Sequence, residues 1–301
     1  MRLKNRLVYI LAILITTQLV GTVAPAATLQ LLRVFDFPGH PTVLATKPQK
    51  VSDQSDIVGT VIQLDGTVQG FLYKIRISRF SSAFSDPNDT GNFTEGRGIN
   101  NRRHMVGEYL DASDGTYHGY IVKHPNFFDF DVAGATDTIP LGINNDGSFV
   151  GTAKFSDGTQ LGFVSLFQVV TTFAVPGATT TYAYQLNATN QIIGSYTDAN
   201  GVYHGYTRDS AGNLTFPIDV PGATGTMLLG NNDSNWGVGS YTDASEVTHG
   251  LYFITPDNIL TYDYPGATFT SLTGINRVGI VCGYYYDTAG IAHGLVAQLN
   301  P

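Results

Sequence analysis

The sequence predicts an all-β fold, a six-bladed β-propeller with four antiparallel strands per blade. A unit of about 44 residues occurs six times between residue 31 and the end of the 301-residue chain. Each unit contains four short strand-like segments separated by turn residues, and no helical periodicity follows residue 26. Four strands in a repeat of this length are typical of a propeller blade.

Three markers keep the six units in register. The first is a glycine after each Asn-rich turn: Gly59, Gly107, Gly151, Gly194, Gly239 and Gly283. The second is a glycine further along each unit: Gly70, Gly119, Gly162, Gly205, Gly250 and Gly294. The third is the tetrapeptide PGAT, complete at Pro176, Pro221 and Pro265 and altered at Pro38 and Ala133.

The fourth unit shows the strand pattern most clearly. Strands are predicted at Thr180 to Leu186, Ile192 to Thr197, Tyr203 to Arg208 and Leu214 to Val220. The turn from Asp198 to Gly201 joins the second and third strands, because Asp accepts a backbone N–H and Gly adopts positive φ. A β-solenoid is the less favoured alternative, since its coils are shorter and lack a hairpin at every junction.

The phase of the repeat predicts how the two ends of the chain meet. The first unit is preceded by a fourth-strand sequence, Leu31 to Phe37, and the chain ends with a third-strand sequence, His293 to Leu299. We therefore expect the N-terminal segment to pair with Gly294 to Leu299 as the outer strand of the last blade. This pairing would protect two sheet edges.

The first 26 residues have the features of a secretory signal peptide. Arg2, Lys4 and Arg6 precede an apolar stretch that ends at the small residues Ala24 to Ala26. Cleavage before Ala27 would leave one domain, residues 27–301, in the extracellular space, at the cell surface or in the periplasm. A retained membrane anchor is the alternative.

Charge and cysteine content narrow the function classes. Loss of residues 1–26 would change the net charge from -8 to -11, which disfavours nucleic acid and anionic lipid as partners. The single cysteine, Cys282, is expected to be a buried core residue. We expect a monomer without a cofactor. We also expect no metal, because the Asp-Gly pairs are typical of hairpin turns and not of calcium loops.

A trio of Tyr, Asp and His is present in four units and absent together from the other two. Its members are Tyr109, Asp111 and His118; Tyr196, Asp198 and His204; Tyr241, Asp243 and His249; and Tyr285, Asp287 and His293. The joint loss predicts that the three side chains contact one another. Four copies spread around a ring cannot converge on one substrate or metal, so a structural network is favoured over catalysis. The repeated Asn at positions 100, 144, 187, 232 and 276 is expected to form turns.

Ligand-binding residues are expected where one unit differs from the others. On the inner strand such positions are Lys50, Glu95, Arg97 and Tyr184, which would form a mixed-charge patch near one mouth of the channel. Trp236, the only tryptophan, is a further candidate, either as a sugar-stacking platform or as a cap on the core.

The motifs resemble a known repeat family. The pattern D-x-x-G-x-x-H-G, with PGAT and G-I-N-x-x-G-x-x-x-G, is similar to the extracellular HAF repeat of exported bacterial proteins. The resemblance covers residues 31 to 299, although Gly follows the His here where the family name expects Ala. It implies a secreted or surface β-propeller-like protein and defines no active site.

Three functions are compatible with these observations. The favoured one is an exported, non-catalytic binding propeller whose partner is a carbohydrate or a surface protein. A hydrolase or lyase acting at one channel mouth is the second, for which Glu95, Arg97, Arg102, His104 and Glu108 come nearest to a catalytic cluster. A structural component of the cell envelope is the third.

Overall fold

The computed structural model describes residues 27–39, 42–255 and 258–301, and its regular structure is almost entirely β. The predicted signal peptide, residues 1–26, lies outside the described residues. One short 3-10 turn, Ile75–Ile77, interrupts the strands. Across the described ranges no helix has the length and apolar character needed to cross a membrane.

The strands form antiparallel meanders that follow the sequence repeats, numbered here as units one to six. Unit one contains β2 (Val43–Val51), β3 (Asp56–Gln63), β4 (Val68–Lys74) and β5 (Arg79–Phe80). Unit two contains β6 (Thr94–Ile99), β7 (Met105–Asp111), β8 (Thr116–Lys123) and β9 (Asn126–Phe130). Unit three contains β10 (Ala135–Ile143), β11 (Phe149–Phe155), β12 (Gln160–Leu166) and β13 (Val169–Phe173). Unit four contains β14 (Thr180–Leu186), β15 (Ile192–Thr197), β16 (Tyr203–Arg208) and β17 (Leu214–Ile218). Unit five contains β18 (Gly225–Asn231), β19 (Gly237–Thr242), β20 (Thr248–Phe253) and β21 (Ile259–Tyr262). Unit six contains β22 (Phe269–Ile275), β23 (Ile280–Tyr286) and β24 (Ala292–Asn300), with β1 (Thr28–Phe35) as its outer strand.

The predicted strands of unit four are present, and one differs in length. β17 ends at Ile218 and not at Val220 as predicted. The physical reason is that the Val220 N–H donates to Thr226 Oγ1 (3.1 Å) and so leaves the strand ladder. The same backbone-to-threonine bond follows the outer strand in each of the other units, with Thr46, Thr94, Thr138, Thr181 and Thr270 as acceptors.

The N-terminal segment pairs with the last strand, as predicted. β1 runs antiparallel to β24 from Thr28 opposite Asn300 to Phe35 opposite Gly294, with one irregularity between Leu31 and Arg33. Units three and four, five and six, and six and one are each joined by a single parallel bridge, the last of them between Ala45 and Ala292. These bridges connect the meanders into hydrogen-bonded sheets of twelve, eight and four strands.

The first marker glycine is required by a close approach of the inner strand. A Cβ atom on Gly107 would lie 1.9 Å from the carbonyl oxygen of Glu95, and one on Gly194 would lie 2.1 Å from that of Tyr182. No side chain fits at such distances. The glycine lets the inner strand bulge at this level in every unit.

Apolar side chains form the core between neighbouring units. Ile193 of unit four packs with Leu228 and Leu251 of unit five, and all three are buried. Cys282 is fully buried in the cluster that joins units one and six, as predicted.

Candidate functional site

The six inner-strand bulges point toward one common space. Each register shift leaves one residue without a partner opposite the marker glycine: Gln49, Arg97, Leu141, Tyr184, Leu229 and Thr273. All six, together with Lys50, line a single cavity of about 30 Å³. We call the space between the inner strands the channel. Because a bulge re-aims its side chain, the repeat brings one residue per unit to the channel.

A larger cavity of about 270 Å³ adjoins the small one. The two cavities share Gln49, Arg97, Tyr184, Leu229 and Thr273. The other lining residues of the larger cavity come from units four to six: Tyr203, Gly225, Met227, Ser240, Tyr241, Thr242, Thr248, Phe269, Ser271 and Tyr284. We call it the channel cavity.

At two lining positions of the channel cavity, unit five carries smaller side chains than unit six. Gly225 and Ser240 of unit five occupy the repeat positions at which unit six has Phe269 and Tyr284. The large side chains of Phe269 and Tyr284 therefore face the channel cavity on one side, and the small residues of unit five line it next to them. This departure from the repeat is readable from the sequence, although its consequence depends on how the units pack.

Aromatic rings form two walls of the cavity. In unit four the ring of Tyr184 stacks on that of Tyr182, with centroids 5.8 Å apart and planes 14° apart, and Tyr203 lies next to them. In unit six Phe269 stacks on Tyr284, with centroids 5.5 Å apart. Burial raises the pKa of both Tyr184 and Tyr284 well above the usual range, so their hydroxyl groups stay protonated.

Arg97 lies at the edge of the cavity between two glutamates of its own unit. Its Nε donates to Glu108 Oε1 (3.0 Å) and Oε2 (3.2 Å), and one terminal nitrogen lies 2.7 Å from Oε1. The same terminal nitrogen contacts a carboxylate oxygen of Glu95. Glu108 is 2% exposed, and burial raises its pKa to about 8, although the Arg97 charge opposes the rise. Neither glutamate is among the residues that line the channel cavity.

Lys50 extends across the channel to units five and six. Its Nζ donates to the backbone oxygens of Leu229 (2.7 Å) and Thr273 (2.9 Å). Burial lowers the pKa of Lys50 to about 7, an effect that the Cys282 thiol opposes and Arg97 reinforces. Lys50, Arg97 and Tyr184 therefore lie together as expected, but the Lys50 amine is already held by protein oxygens.

Trp236 is not brought to the channel cavity. Its indole packs beside a core cluster that contains Val238 and Leu299, close to Gly279 of unit six. The turn that begins at Asn232 aims the side chain between units five and six. Of its two predicted roles, the geometry corresponds to the cap on the core.

The opposite mouth of the channel is built from the repeated Asn turns. The Oδ1 of each Asn accepts N–H groups of its own turn, for example those of Arg102 and His104 on Asn100. Each Nδ2 donates to the backbone oxygen of the equivalent residue in the next unit: Asn100 to Asn144, Asn144 to Asn187, Asn187 to Asn232, Asn232 to Asn276, and Asn276 to Ser52. Between units one and two, where Ser52 has no amide, Asn101 Nδ2 donates to Asp53 Oδ2 (2.8 Å). The contact between units was not expected from the sequence.

The four histidines each stack on the tyrosine of their trio. Ring centroids of His118, His204, His249 and His293 lie 5.0 to 5.5 Å from those of the partner tyrosines. The turn acid lies on the Nε2 side of His249 and His293, at 3.3 and 3.4 Å. In unit four the corresponding distance from His204 to Asp198 is 3.8 Å, too long for a hydrogen bond.

A second acid, absent from the predicted trio, is the nearer partner of each histidine. Nδ1 lies 2.8 to 2.9 Å from a carboxylate oxygen of the residue that directly follows the outer strand: Asp131 for His118, Asp219 for His204, Asp263 for His249, and Asp36 for His293. The sequence carried this signal, because the acid precedes the PGAT motif by two residues. Unit three has Ala174 at this position together with Leu161 in place of His. In unit one Gln69 donates to Ser85 Oγ (3.3 Å).

Unit two departs from the expected trio in its turn acid. His118 Nε2 lies 3.3 Å from Asp114, whereas Asp111 accepts from Thr90 Oγ1. Partial burial opposes a charge on His118, but the hydrogen bonds to Asp131 and Asp114 outweigh it and raise the pKa of His118. Asp111, Asp114 and His118 bring three possible ligand atoms within 4.8 Å, so this rim group has the donor types that bind a cation. Protein groups already supply its hydrogen bonds.

Comparisons with known proteins identify the fold. No family model matches the sequence, and no curated protein matches it. The structure is similar to a fungal lectin of Aleuria aurantia, described as a six-bladed β-propeller with a novel fucose recognition mode (TM-score 0.55, 7% identity, 86% of this chain and 95% of that chain). It is also similar to the Hadza microbial sialidase Hz136, with a TM-score of 0.55 and 8% identity over 84% of this chain and 65% of that chain. XC5397 of Xanthomonas campestris, a gluconolactonase, matches with a TM-score of 0.51 and 10% identity over 92% of this chain and 99% of that chain. At these identities the likeness shows a β-propeller fold.

Proposed function

We propose that this chain is an exported six-bladed β-propeller that binds carbohydrate in the channel cavity without catalysing a reaction. The observation that carries the proposal is the pair of aromatic walls, from units four and six, on either side of the small residues of unit five. Export, whether to the medium, the cell surface or the periplasm, and membership of the HAF-repeat family rest on the sequence motifs.

Three observations support an arrangement of six blades in a closed ring. The six bulge residues line one cavity. The chain of Asn amides runs through units two to six in order and returns to Ser52 of unit one. β1 is hydrogen-bonded to β24, so both ends of the domain lie in one blade.

The cavity has the chemistry that sugar rings require. Aromatic faces pack against the apolar C–H faces of a sugar, while hydroxyl and amide groups exchange hydrogen bonds with its hydroxyls. The lining supplies Ser240, Thr242, Thr248 and Ser271 beside the aromatic walls, and Arg97 at the edge. Its volume of about 270 Å³ is below the roughly 300–1,000 Å³ typical of drug-sized ligands, which favours one sugar ring or a group of similar size.

The solved structures support carbohydrate binding by analogy only. The Aleuria aurantia protein is a lectin that was crystallised with fucosides, and it covers most of this chain. A shared fold does not transfer a function, so the proposal depends on the residues of the cavity.

Binding is favoured over hydrolysis or lysis by the position of the carboxylates. The two glutamates of the predicted catalytic cluster, Glu95 and Glu108, contact Arg97 of the lining but do not line the channel cavity themselves. A purely structural envelope protein is less favoured, because it would not need aromatic walls around a cavity.

The proposal is tested with substitutions that the repeat itself supplies. Tyr184→Leu, Phe269→Thr and Tyr284→Ser introduce residues that other units carry at the equivalent positions, such as Leu229, Thr180 and Ser240. We expect wild-type protein to bind on a glycan array and each variant to lose about tenfold or more in affinity while it remains folded, as shown by a cooperative thermal melt above the assay temperature.

Trp236→Ile, which copies Ile280 of unit six, is the matched control outside the cavity and should retain binding. The same wild-type protein is incubated with the bound glycans and with a polysaccharide mixture. Release of new reducing ends or unsaturated products would replace the binding proposal with the enzymatic one.

A further inference from the structure

We propose that the channel cavity selects uncharged sugars and rejects sugars that carry a carboxylate, such as uronic or sialic acids. This inference rests on the proposed carbohydrate binding and adds the class of ligand. The charges in and behind the cavity lining support it.

Arg97 is the only formally charged side chain among the described residues that line the channel cavity. An arginine in an aromatic sugar site would ordinarily favour an acidic sugar, because guanidinium and carboxylate form paired hydrogen bonds. Whether Arg97 can do so depends on how its own donors and charge are used.

Two of the three guanidinium nitrogens of Arg97 bind glutamates of unit two. Nε and one terminal nitrogen bind Glu108, and the same terminal nitrogen contacts Glu95. A sugar carboxylate that approached Arg97 would therefore come close to Glu95 and, above the Glu108 pKa of about 8, to a second protein carboxylate. Like charges at such a distance disfavour the ionised ligand.

The wider charge cluster is balanced. It contains two cationic groups, Lys50 and Arg97, and two carboxyl groups, Glu95 and Glu108. The two shifted pKa values act in opposite directions on the net charge, because Glu108 is raised to about 8 and Lys50 is lowered to about 7. Loss of charge on Glu108 is thus offset by loss of charge on Lys50 near neutral pH. Outside this cluster, the Lys47 ammonium lies over the rings of Tyr284 and Tyr286, 5.6 Å from each centroid, where the aromatic faces interact with its charge.

The remaining polar groups of the lining suit hydroxyl ligands. They are the amide of Gln49 and the hydroxyls of serines, threonines and tyrosines, all of which are uncharged at neutral pH. Hydroxyl groups both donate and accept, so they match neutral sugars in any orientation.

The test compares neutral sugars with the corresponding uronates, in which a carboxylate replaces the C6 hydroxymethyl group. Wild-type protein is titrated with the methyl glycosides of glucose, galactose, glucuronate and galacturonate by calorimetry at pH 9, above the pKa of about 8 at which Glu108 ionises. N-acetylneuraminate is a fifth probe. We expect each neutral sugar that binds to do so about tenfold or more tightly than its uronate. Equal or tighter binding of the uronates or of N-acetylneuraminate would overturn the selectivity and leave carbohydrate binding intact.

The variant Glu108→Gln tests whether the carboxyl groups beside Arg97 cause the selectivity for uncharged sugars. It removes one carboxylate from Arg97, so the ratio of uronate to neutral-sugar affinity should rise severalfold. Glu246→Gln, at an exposed turn of unit five, is the matched control and should leave the ratio unchanged. An unchanged ratio in Glu108→Gln would refute the role of Arg97 neutralisation. Absence of binding to every probe and to the glycan array would refute both the selectivity and the proposed function.

Discussion

Asp36 and His293 are 257 positions apart in the chain, yet Asp36 Oδ1 lies 2.8 Å from His293 Nδ1. In units two, four and five the equivalent acid and histidine belong to the same unit and are joined by a single hairpin. Unit six takes its acid from the N-terminal strand. The pair therefore repeats a local contact of the other units across the two ends of the domain.

The pair can be replaced by the residues of unit three. Asp36→Ala copies Ala174 and His293→Leu copies Leu161. We expect each single variant to lower the free energy of unfolding by about 0.5–1.5 kcal/mol, since the hydrogen bond is partly exposed. The double variant should lose clearly less than the sum of the two, as measured by urea denaturation. Asp146→Ala, an exposed turn acid, serves as the control, and strict additivity would show that the two residues do not act together.

Removal of the N-terminal strand should be far more damaging than removal of one contact. Deletion of residues 27–38 takes away β1, which leaves the edge of β24 unpaired and exposes the apolar residues beneath it. We expect the melting temperature of this variant to fall sharply relative to a protein that begins at residue 27. Two coincident melting curves would contradict a role for β1 in the stability of the domain.

The contribution of the Asn side-chain amides to stability can be tested by replacing Asn187 of unit four with serine, the residue that unit one has at the equivalent position. Asn187→Ser keeps a turn-forming side chain, as at Ser52, but removes the Nδ2 group that bonds Asn232 O (3.3 Å) and Asn235 Oδ1 (2.9 Å). Because Asn187 and Asn232 are buried, we expect a loss of about 1–3 kcal/mol in unfolding free energy. Asn200→Ser, in an exposed hairpin turn, should change it by less than about 0.5 kcal/mol. Equal effects of the two substitutions would rule out a special role of the contact between units.

Glu108 should make the stability of the wild-type protein depend on pH. Its pKa is raised from 4.5 to about 8 in the folded protein, so between these values the folded state binds more protons than the unfolded state. Stability from this group therefore decreases as pH rises from about 5 to about 8. Glu108→Gln cannot titrate, so the difference in unfolding free energy between pH 5 and pH 8 should be smaller in this variant. Parallel curves for the two proteins would contradict the raised pKa of Glu108.

Much of the fold could be predicted because its information is local. Alternation of apolar residues, turn residues and the marker glycines placed the strands of unit four, and three of the four have the predicted bounds. The tyrosine and histidine of each trio are also neighbours on paired strands, so hairpin register brings them together. The aspartates that follow the outer strands were missed although their position before PGAT was visible.

The site was only partly predictable. Lys50, Arg97 and Tyr184 were expected near one mouth because each departs from the repeat, and they do line one cavity. Trp236 departs from the repeat as well, yet it faces the core between units five and six. A departure from the repeat indicates that a residue has a role that its counterparts in the other units lack. The direction of its side chain, however, depends on the turn and on the neighbouring unit.

The sequence by itself therefore determined the repeat and the strands, because hairpin register and strand alternation depend on residues close together in the chain. It also determined the pairing of β1 with β24, because the phase of the repeat leaves the last unit without a fourth strand of its own. Only the tertiary structure decided that Lys50 of unit one reaches Leu229 and Thr273, and that Gly225 and Ser240 line a cavity together with Phe269 and Tyr284. These relationships depend on the distance and rotation between neighbouring units. That geometry results from packing across the whole domain, and no local stretch of sequence specifies it.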